Sequence, residues 1–406
     1  MNLSARIFTG LVLGLALGAL AAGLHGARLD LLLAVARPIG KLWLDALTMT
    51  VVPLVFGLIV TGILAAAREA ASGRIARDAL IAFAVLLFAA TAISAVYSSA
   101  FLHWLPVPAE AQGLRGTVTG SVPSWSEGSW VDGIIPTNPI RAAADMAMVP
   151  LVVFALVFGF AAARIAPELS AAIGTLFRAV VEAMLVIVHW VLWLAPLGVL
   201  ALAFTVGARL GVGAAGALLH YVLVAASACL VIAILAYPLA VIAGRVSPAR
   251  FARAALPSQV VAVSTQSSLA SLPAMIEGAA PLGVAREAAG VVLPLAVSLF
   301  RAASAAANMA VVVYLGHLHG VAMGPGVLAV GAAVAAVTSI AAVGLPAQVS
   351  FFAMIGPVCL ATGVPIELLP LLLAVETIPD IFRTLGNVTT DLAVTAIVGR
   401  RVSQPS

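Results

Sequence analysis

The chain has 406 residues, of which 63% are hydrophobic and 9% charged, and a mean hydropathy of +1.18. A soluble domain carries roughly 45–50% apolar and about 25% charged residues, so this composition excludes a soluble fold and makes the bilayer the solvent. The pI near 9.6 would suggest nucleic acid in a soluble protein. Here the bases are almost all arginine, with Lys41 the sole lysine, and they sit at the ends of apolar segments. The charge is topological, and no nucleic-acid partner is expected.

Apolar segments run over 5–24, 38–66, 78–104, 139–166, 171–206 and 214–243. Several exceed the roughly 20 residues that span hydrocarbon. The first, from Ile7 to Gly23 behind Arg6, has the outline of a signal peptide. Because similar segments continue to Arg400, it reads as a retained first span. Arginines cluster at Arg68, Arg74 and Arg77; at Arg164 and Arg178; at Arg245, Arg250 and Arg253; and at Arg400 and Arg401. Short basic loops stay cytoplasmic. The long connector 105–138 has Arg115 as its one base and is expected outside. Both termini are therefore expected in the cytoplasm, in one integral unit of the cell (inner) membrane. Cys229 and Cys359 lie inside apolar stretches and read as packing residues.

After Arg253 the pattern changes. The stretch 254–280 is polar in its middle, with Ser264, Thr265, Gln266, Ser267, Ser268, Ser271 and Pro273. A second such stretch, 326–362, has Ser339, Gly344, Leu345 and Pro346 at its centre. Irregular backbone survives at membrane depth only where protein or a cavity surrounds it. Paired broken segments around an unbroken span point to a binding site between them.

The last apolar segment carries Glu376, Asp380, Arg383, Asn387 and Asp391 at steps of four, three, four and four, with Thr384 and Thr389 beside them. That spacing stacks the five on one helix face. Each ionisable group at the centre of a span costs about 2.5–3.5 kcal/mol on insertion scales, so the face must look into protein or a cavity. Arg383 offers a fork of donors that fits a carboxylate. Asp380, one turn earlier, can hold an ammonium, and Asn387, one turn later, can serve an α-carboxylate or amino group. The pair suits a zwitterion with an extra acid.

The run Asp380-Ile381-Phe382-Arg383-Thr384-Leu385-Gly386-Asn387-Val388-Thr389-Thr390-Asp391 resembles the last-helix signature of the dicarboxylate/amino acid:cation symporter (glutamate transporter) family. Thr265-Gln266-Ser267-Ser268-Leu269-Ala270-Ser271-Leu272-Pro273 is similar to its serine-rich first hairpin, and Ser339-Ile340 with Gly344-Leu345-Pro346 to its second. Val52-Pro53-Leu54-Val55-Phe56, Pro136-Thr137-Asn138-Pro139 and Ala195-Pro196-Leu197-Gly198 fit as well. The resemblance implies an all-α polytopic membrane protein with eight transmembrane helices, two re-entrant helical hairpins and inverted repeats. It implies a homotrimer working as an elevator. Residues 1–77 and 139–210 would form the scaffold. Residues 78–138, with the third span and external loop, and 211–406, with the sixth span, both hairpins and the last two spans, would form the mover. The implied substrate shell is Arg383 on a side-chain carboxylate and Asp380 on the amino group, with Thr384, Asn387, Ser268, Gln266, Ser304, Leu345 and Val349 around them. No cofactor is implied.

Members for plain dicarboxylates tend to lack the aspartate before the arginine, and both residues are present here, so aspartate or glutamate is the expected substrate. A C4-dicarboxylate carrier coupled to protons or sodium is the rival within the class. A non-transporting membrane amino-acid sensor is the rival outside it. A hydrolase is disfavoured, because neither a Gly-x-Ser-x-Gly elbow nor a His-Glu-x-x-His helix occurs.

The sequence departs from the family at the sodium ligands. Where the seventh span normally reads Asn-Met-Asp-Gly-Thr, this chain has Phe300-Arg301-Ala302-Ala303-Ser304. Leu87 and Phe88 stand where the third span should give hydroxyls, and Ala341-Ala342-Val343 precedes Gly344. Hard cations want oxygen ligands, and only Asn387 and Asp391 remain as a residual sodium site. Arg301 is expected to replace a sodium ion by pairing with Asp391 or another pocket carboxylate. Transport would then run with little or no sodium, uncoupled or driven by protons through Glu376 or Asp391.

Overall fold

The computed structural model describes residues 3–22, 27–108, 134–210, 213–341 and 347–402. Among them every regular element is helical, as lipid demands of a chain whose backbone must satisfy its own hydrogen bonds. Helices α1 (Leu3–Ala21), α2 (Ala27–Thr48), α3 (Val51–Ser72) and α4 (Arg74–Trp104) precede the connector. After it come α5 (Pro139–Ala144), α6 (Met148–Ala162), α7 (Pro167–Trp193), α8 (Ala195–Leu210) and α9 (Gly213–Ile242). The rest of the chain forms α10 (Pro248–Thr265), α11 (Ser268–Ala279), α12 (Arg286–Leu299), α13 (Ala302–His319), α14 (Pro325–Ala341), α15 (Ala347–Thr362), α16 (Leu369–Leu373) and α17 (Thr377–Val402). Runs long and apolar enough to cross a membrane are Arg28–Ala71, Arg74–Trp104, Pro167–Trp193, Ala215–Ile242 and Arg286–His319.

Several expected segments prove to be two helices. The 38–66 segment is α2 and α3, parted at Met49–Thr50 and extended to 27–72. The 171–206 segment is α7 and α8, parted at Leu194, and 139–166 divides into α5 and α6. Pro53 and Pro196 lie in the first turns of α3 and α8, where a missing N–H leaves no bond unmade. Hydropathy does not fall at Leu194 or by much at Met49–Thr50, so the pattern alone hides these two joints. The first polar stretch is α10 and α11, folded against each other around Gln266 and Ser267. Gln266 is left-handed (φ 53°), and the Ser267 hydroxyl caps α11 by accepting from the Ala270 N–H. The second is α14 packed on α15, and its centre, Gly344 to Pro346, lies outside the described residues. The span between them is not unbroken as expected. It leaves the helix at Phe300 (ψ 86°) and Arg301 (ψ 62°), between α12 and α13.

One group of helices is built on α1 and α8. Gly10, Gly14 and Gly18 place a small residue every turn of α1, and a Cβ on any of them would come within 2.5 Å of an α8 backbone oxygen. Close backbone approach of this kind is how helices associate in lipid. Helix α2 also packs on α8, and α3 packs on α6 and α7. The second group gathers round α13, whose residues from Ala302 to Gly316 are all buried. Helices α4, α9, α14, α15 and α17 pack on α13, and α17 packs in turn on α9, α10, α11 and α12. Outward surfaces carry Phe8, Leu17, Val85, Val96, Leu176 and Ile234, as lipid-facing helices must.

Candidate functional site

Three interruptions of helix lie between elements that pack on α17 or lead into it: Gln266–Ser267, Phe300–Arg301 and 374–376. Each frees backbone and side-chain polar groups from helical repetition. Glu376 stands one residue ahead of α17, and its carbonyl accepts the Asp380 N–H at 2.9 Å. The register of the charged face therefore continues through the start of the helix.

Arg383 and Glu376, 3% and 6% exposed, form a buried ion pair between Nη2 and Oε1. Tyr221 of α9 donates to Glu376 Oε2 at 2.6 Å. Both carboxylate oxygens of Glu376 are thus engaged, while Arg383 Nε has no partner among the described residues. Asp380, partly exposed, lies within electrostatic reach of Arg383 and Arg301. The Thr384 hydroxyl donates to the Asp380 carbonyl at 2.9 Å.

Asn387 ties two helices together. Its Oδ1 accepts from the N–H groups of Ala303 (3.0 Å) and Ser304 (3.1 Å), and its Nδ2 donates to Ser304 Oγ at 2.9 Å. It caps α13 from outside, satisfying donors that a helix start leaves over. Gly386 permits the approach, since a Cβ there would lie 2.5 Å from Ala303 Cβ.

Asp391 is fully buried, and neither carboxylate oxygen has a hydrogen-bond partner among the described residues. Arg301 is the charge within its reach. A buried carboxylate needs a cation; the expected pairing with Arg301 is seen here as an electrostatic influence, with no hydrogen bond to either Asp391 oxygen. Around them the lining is apolar. Phe300 stacks on Phe83 at 5.0 Å between centroids, and Leu87, Ala302, Ala303 and Val394 share that cluster. On α4 the Thr91 hydroxyl bonds its own helix, and Ser94 donates to the Ala306 carbonyl at 2.6 Å.

The structure thus brings together Arg383, Asp380, Thr384, Asn387, Ser304, Glu376, Asp391 and Arg301. Gln266 and Ser268 lie partly buried at the turn between α10 and α11, the two helices that pack on α17. Leu345 and the side chain of Val349 lie outside the described residues. Sequence reasoning missed Tyr221, which the cost of a hydroxyl inside an apolar span could have flagged, and Gln259, which donates to Thr389 Oγ1 at 3.0 Å. No group of three or more metal-ligating His, Cys, Asp or Glu side chains occurs among the described residues.

An all-helical membrane body with opposed charges held at a set of helix breaks defines a secondary transporter rather than an enzyme. The chain belongs to the sodium:dicarboxylate symporter family, whose model matches residues 3–401. It is 25% identical to the proton/glutamate-aspartate symporter of Escherichia coli (strain K12), over 98% of this chain and 92% of that protein. It is 27% identical to C4-dicarboxylate transport protein 1 of Pseudomonas paraeruginosa (98% and 89%). It is also 25% identical to the proton/sodium-glutamate symport protein of Geobacillus stearothermophilus (96% and 91%).

Proposed function

We propose that this protein carries aspartate or glutamate across the inner membrane, with both termini cytoplasmic. The observation that carries the reading is the charge pair on α17, a helix that packs on α13, α10 and α11: a guanidinium at Arg383 and a carboxylate at Asp380, one turn apart. Arg383 receives the side-chain carboxylate, Asp380 the ammonium group, and Ser268, Gln266 and Thr384 bound the pocket. Leu345 and Val349 of the second hairpin close it. A C4-dicarboxylate has no use for Asp380, although relatives of that kind match the chain as well. Uptake of radiolabelled aspartate by purified protein in liposomes tests the reading. Competition by succinate stronger than by glutamate would reassign the substrate, and binding without flux would make the protein a sensor.

The same reading includes transport without bound sodium. Arg301 serves as a fixed cation for Asp391, and the aromatic and alanine lining at Phe83, Phe300 and Ala302 supports this, since sodium needs oxygens there. Uptake with equal choline on both sides is expected to proceed. Strict dependence on added sodium would end this part of the proposal. Arg301→Met is expected to alter affinity or the response to ions.

Movement is of the elevator kind. The scaffold comprises 1–77 and 139–210, and the mover 78–138 and 211–406, with α10–α11 and α14–α15 as re-entrant hairpins in each protomer of a trimer. The separate packing of α1 and α8 on one side, and of the helices round α13 on the other, supports this division.

A further inference from the structure

Guanidinium and carboxylate groups frequently meet as two forks, with two parallel hydrogen bonds. Arg383 and Glu376 meet at one contact, Nη2 to Oε1. The neighbouring donor, Arg383 Nε, is buried and has no partner among the described residues. The second carboxylate oxygen does not turn to it, because Oε2 accepts from the Tyr221 hydroxyl at 2.6 Å. The form of the pair is therefore decided on α9, a helix outside the charged stripe.

Glu376 depends on such a hold. It stands just before α17, where the N–H groups of Val375 and Glu376 reach the carbonyls of Leu372 and Leu373, three residues back. Regular α-helical repetition does not fix its side chain. Tyr221, by contrast, is wholly buried and gripped. Its ring lies 5.5 Å from that of Tyr314 on α13. The Tyr314 hydroxyl donates at 2.8 Å to the carbonyl of Ala217, one turn before Tyr221. The Tyr314 ring also meets His220 at 5.7 Å, and His220 Nε2 lies 3.1 Å from the Leu105 carbonyl, just past α4. Helices α4, α9 and α13 together hold one hydroxyl in place.

We infer that Tyr221 is a positioning residue for the solute's carboxylate. By occupying Oε2 it keeps Glu376 on a single donor of Arg383 and leaves the Nε edge of the fork open. Without the hydroxyl, Oε2 turns to Nε and the internal pair closes with two bonds. An incoming carboxylate then meets fewer free donors. Tyr221 acts here through Glu376, and its effect is on orientation.

The inference rests on the acidic-solute reading, and the experiment separates the two. Tyr221→Phe keeps the ring and removes the donor. Binding of L-aspartate to purified full-length protein is measured by calorimetry, and that of L-asparagine by competition. In the variant, Kd for aspartate is expected to rise about tenfold, the scale of one hydrogen bond to a charged group. Kd for asparagine is expected to change less than about twofold, since an amide oxygen is served by one donor where a carboxylate takes two. Loosened packing alone would weaken both alike. Tyr221→para-aminophenylalanine returns a donor to the same place and is expected to restore the natural ratio. Tyr221→Met, which has no donor and fills irregular gaps, serves if the phenylalanine variant fails to fold. An unchanged ratio in a folded variant without the donor would overturn the inference, as would a ratio that the amino group does not restore. If aspartate does not bind the natural protein, the substrate reading falls. In that case, or if asparagine does not compete, the structure of the Tyr221→Phe protein by electron cryomicroscopy decides. Glu376 Oε2 on Arg383 Nε supports the inference, and Oε2 turned away from the guanidinium refutes it.

Discussion

Arg383 is held from one side by Glu376 and borders Asp380 on the other, so its removal has two consequences. Arg383→Met strips a carboxylate of its partner inside protein, and hydrogen bonds to charged groups are worth about 1.5–3 kcal/mol each. Aspartate affinity is expected to drop roughly 10- to 100-fold, read by calorimetry, with thermal stability lowered as well. Tyr221→Phe removes one interhelical bond between α9 and the start of α17. The expected cost is about 1 kcal/mol, the scale of such bonds in membranes, read as a lower melting temperature with the protein still folded. Arg383, Asp380, Glu376 and Asp391 were legible from sequence because charges within an apolar run demand a reason. Tyr221 was not. It lies 155 residues from its partner, and no spacing rule connects them.

Between α13 and α17 the contact depends on Gly386 and Asn387 together, one giving room and the other the bonds. Gly386→Ala would put a methyl group 2.5 Å from Ala303 Cβ and 3.1 Å from the Cys229 carbonyl. Overpacking of this sort costs about 1–3 kcal/mol. The start of α13, which carries Arg301, is expected to shift, so the melting temperature should fall and aspartate Kd should rise together. A variant with unchanged Kd would show that the α13 start does not shape the pocket. Among the helix breaks, only those rich in hydroxyls were visible beforehand. Phe300–Arg301 was hidden because the apolar character on either side is continuous, and its capping group, Asn387, comes from a different helix. The close packing of the Gly10-Gly14-Gly18 row on α8 came only from the structure, since helix pairing leaves no trace in one sequence.

For the molecule as a whole, the seam where α3 meets α14 and α15 divides the proposed scaffold from the proposed mover. Ile63 of α3 and Val337 of α14 line one cavity of about 350 Å³ there. A bifunctional thiol reagent joining cysteines placed at these two positions is expected to abolish liposome uptake while leaving aspartate binding intact. Uptake that survives the cross-link would show that α3 and α14 do not part during transport. The all-helical membrane class and the family were readable from composition and from the Asp380-to-Asp391 run. The assignment of helices to two bodies came only through resemblance, because hydropathy records depth in the bilayer and not the neighbour across it.

Cys229 and Cys359 are the chain's two thiols, and both are wholly inaccessible. A maleimide probe added to the native protein therefore finds nothing to react with, and a single engineered cysteine on the surface would report alone. Fluorophore pairs could be installed to watch individual molecules without first rebuilding the interior.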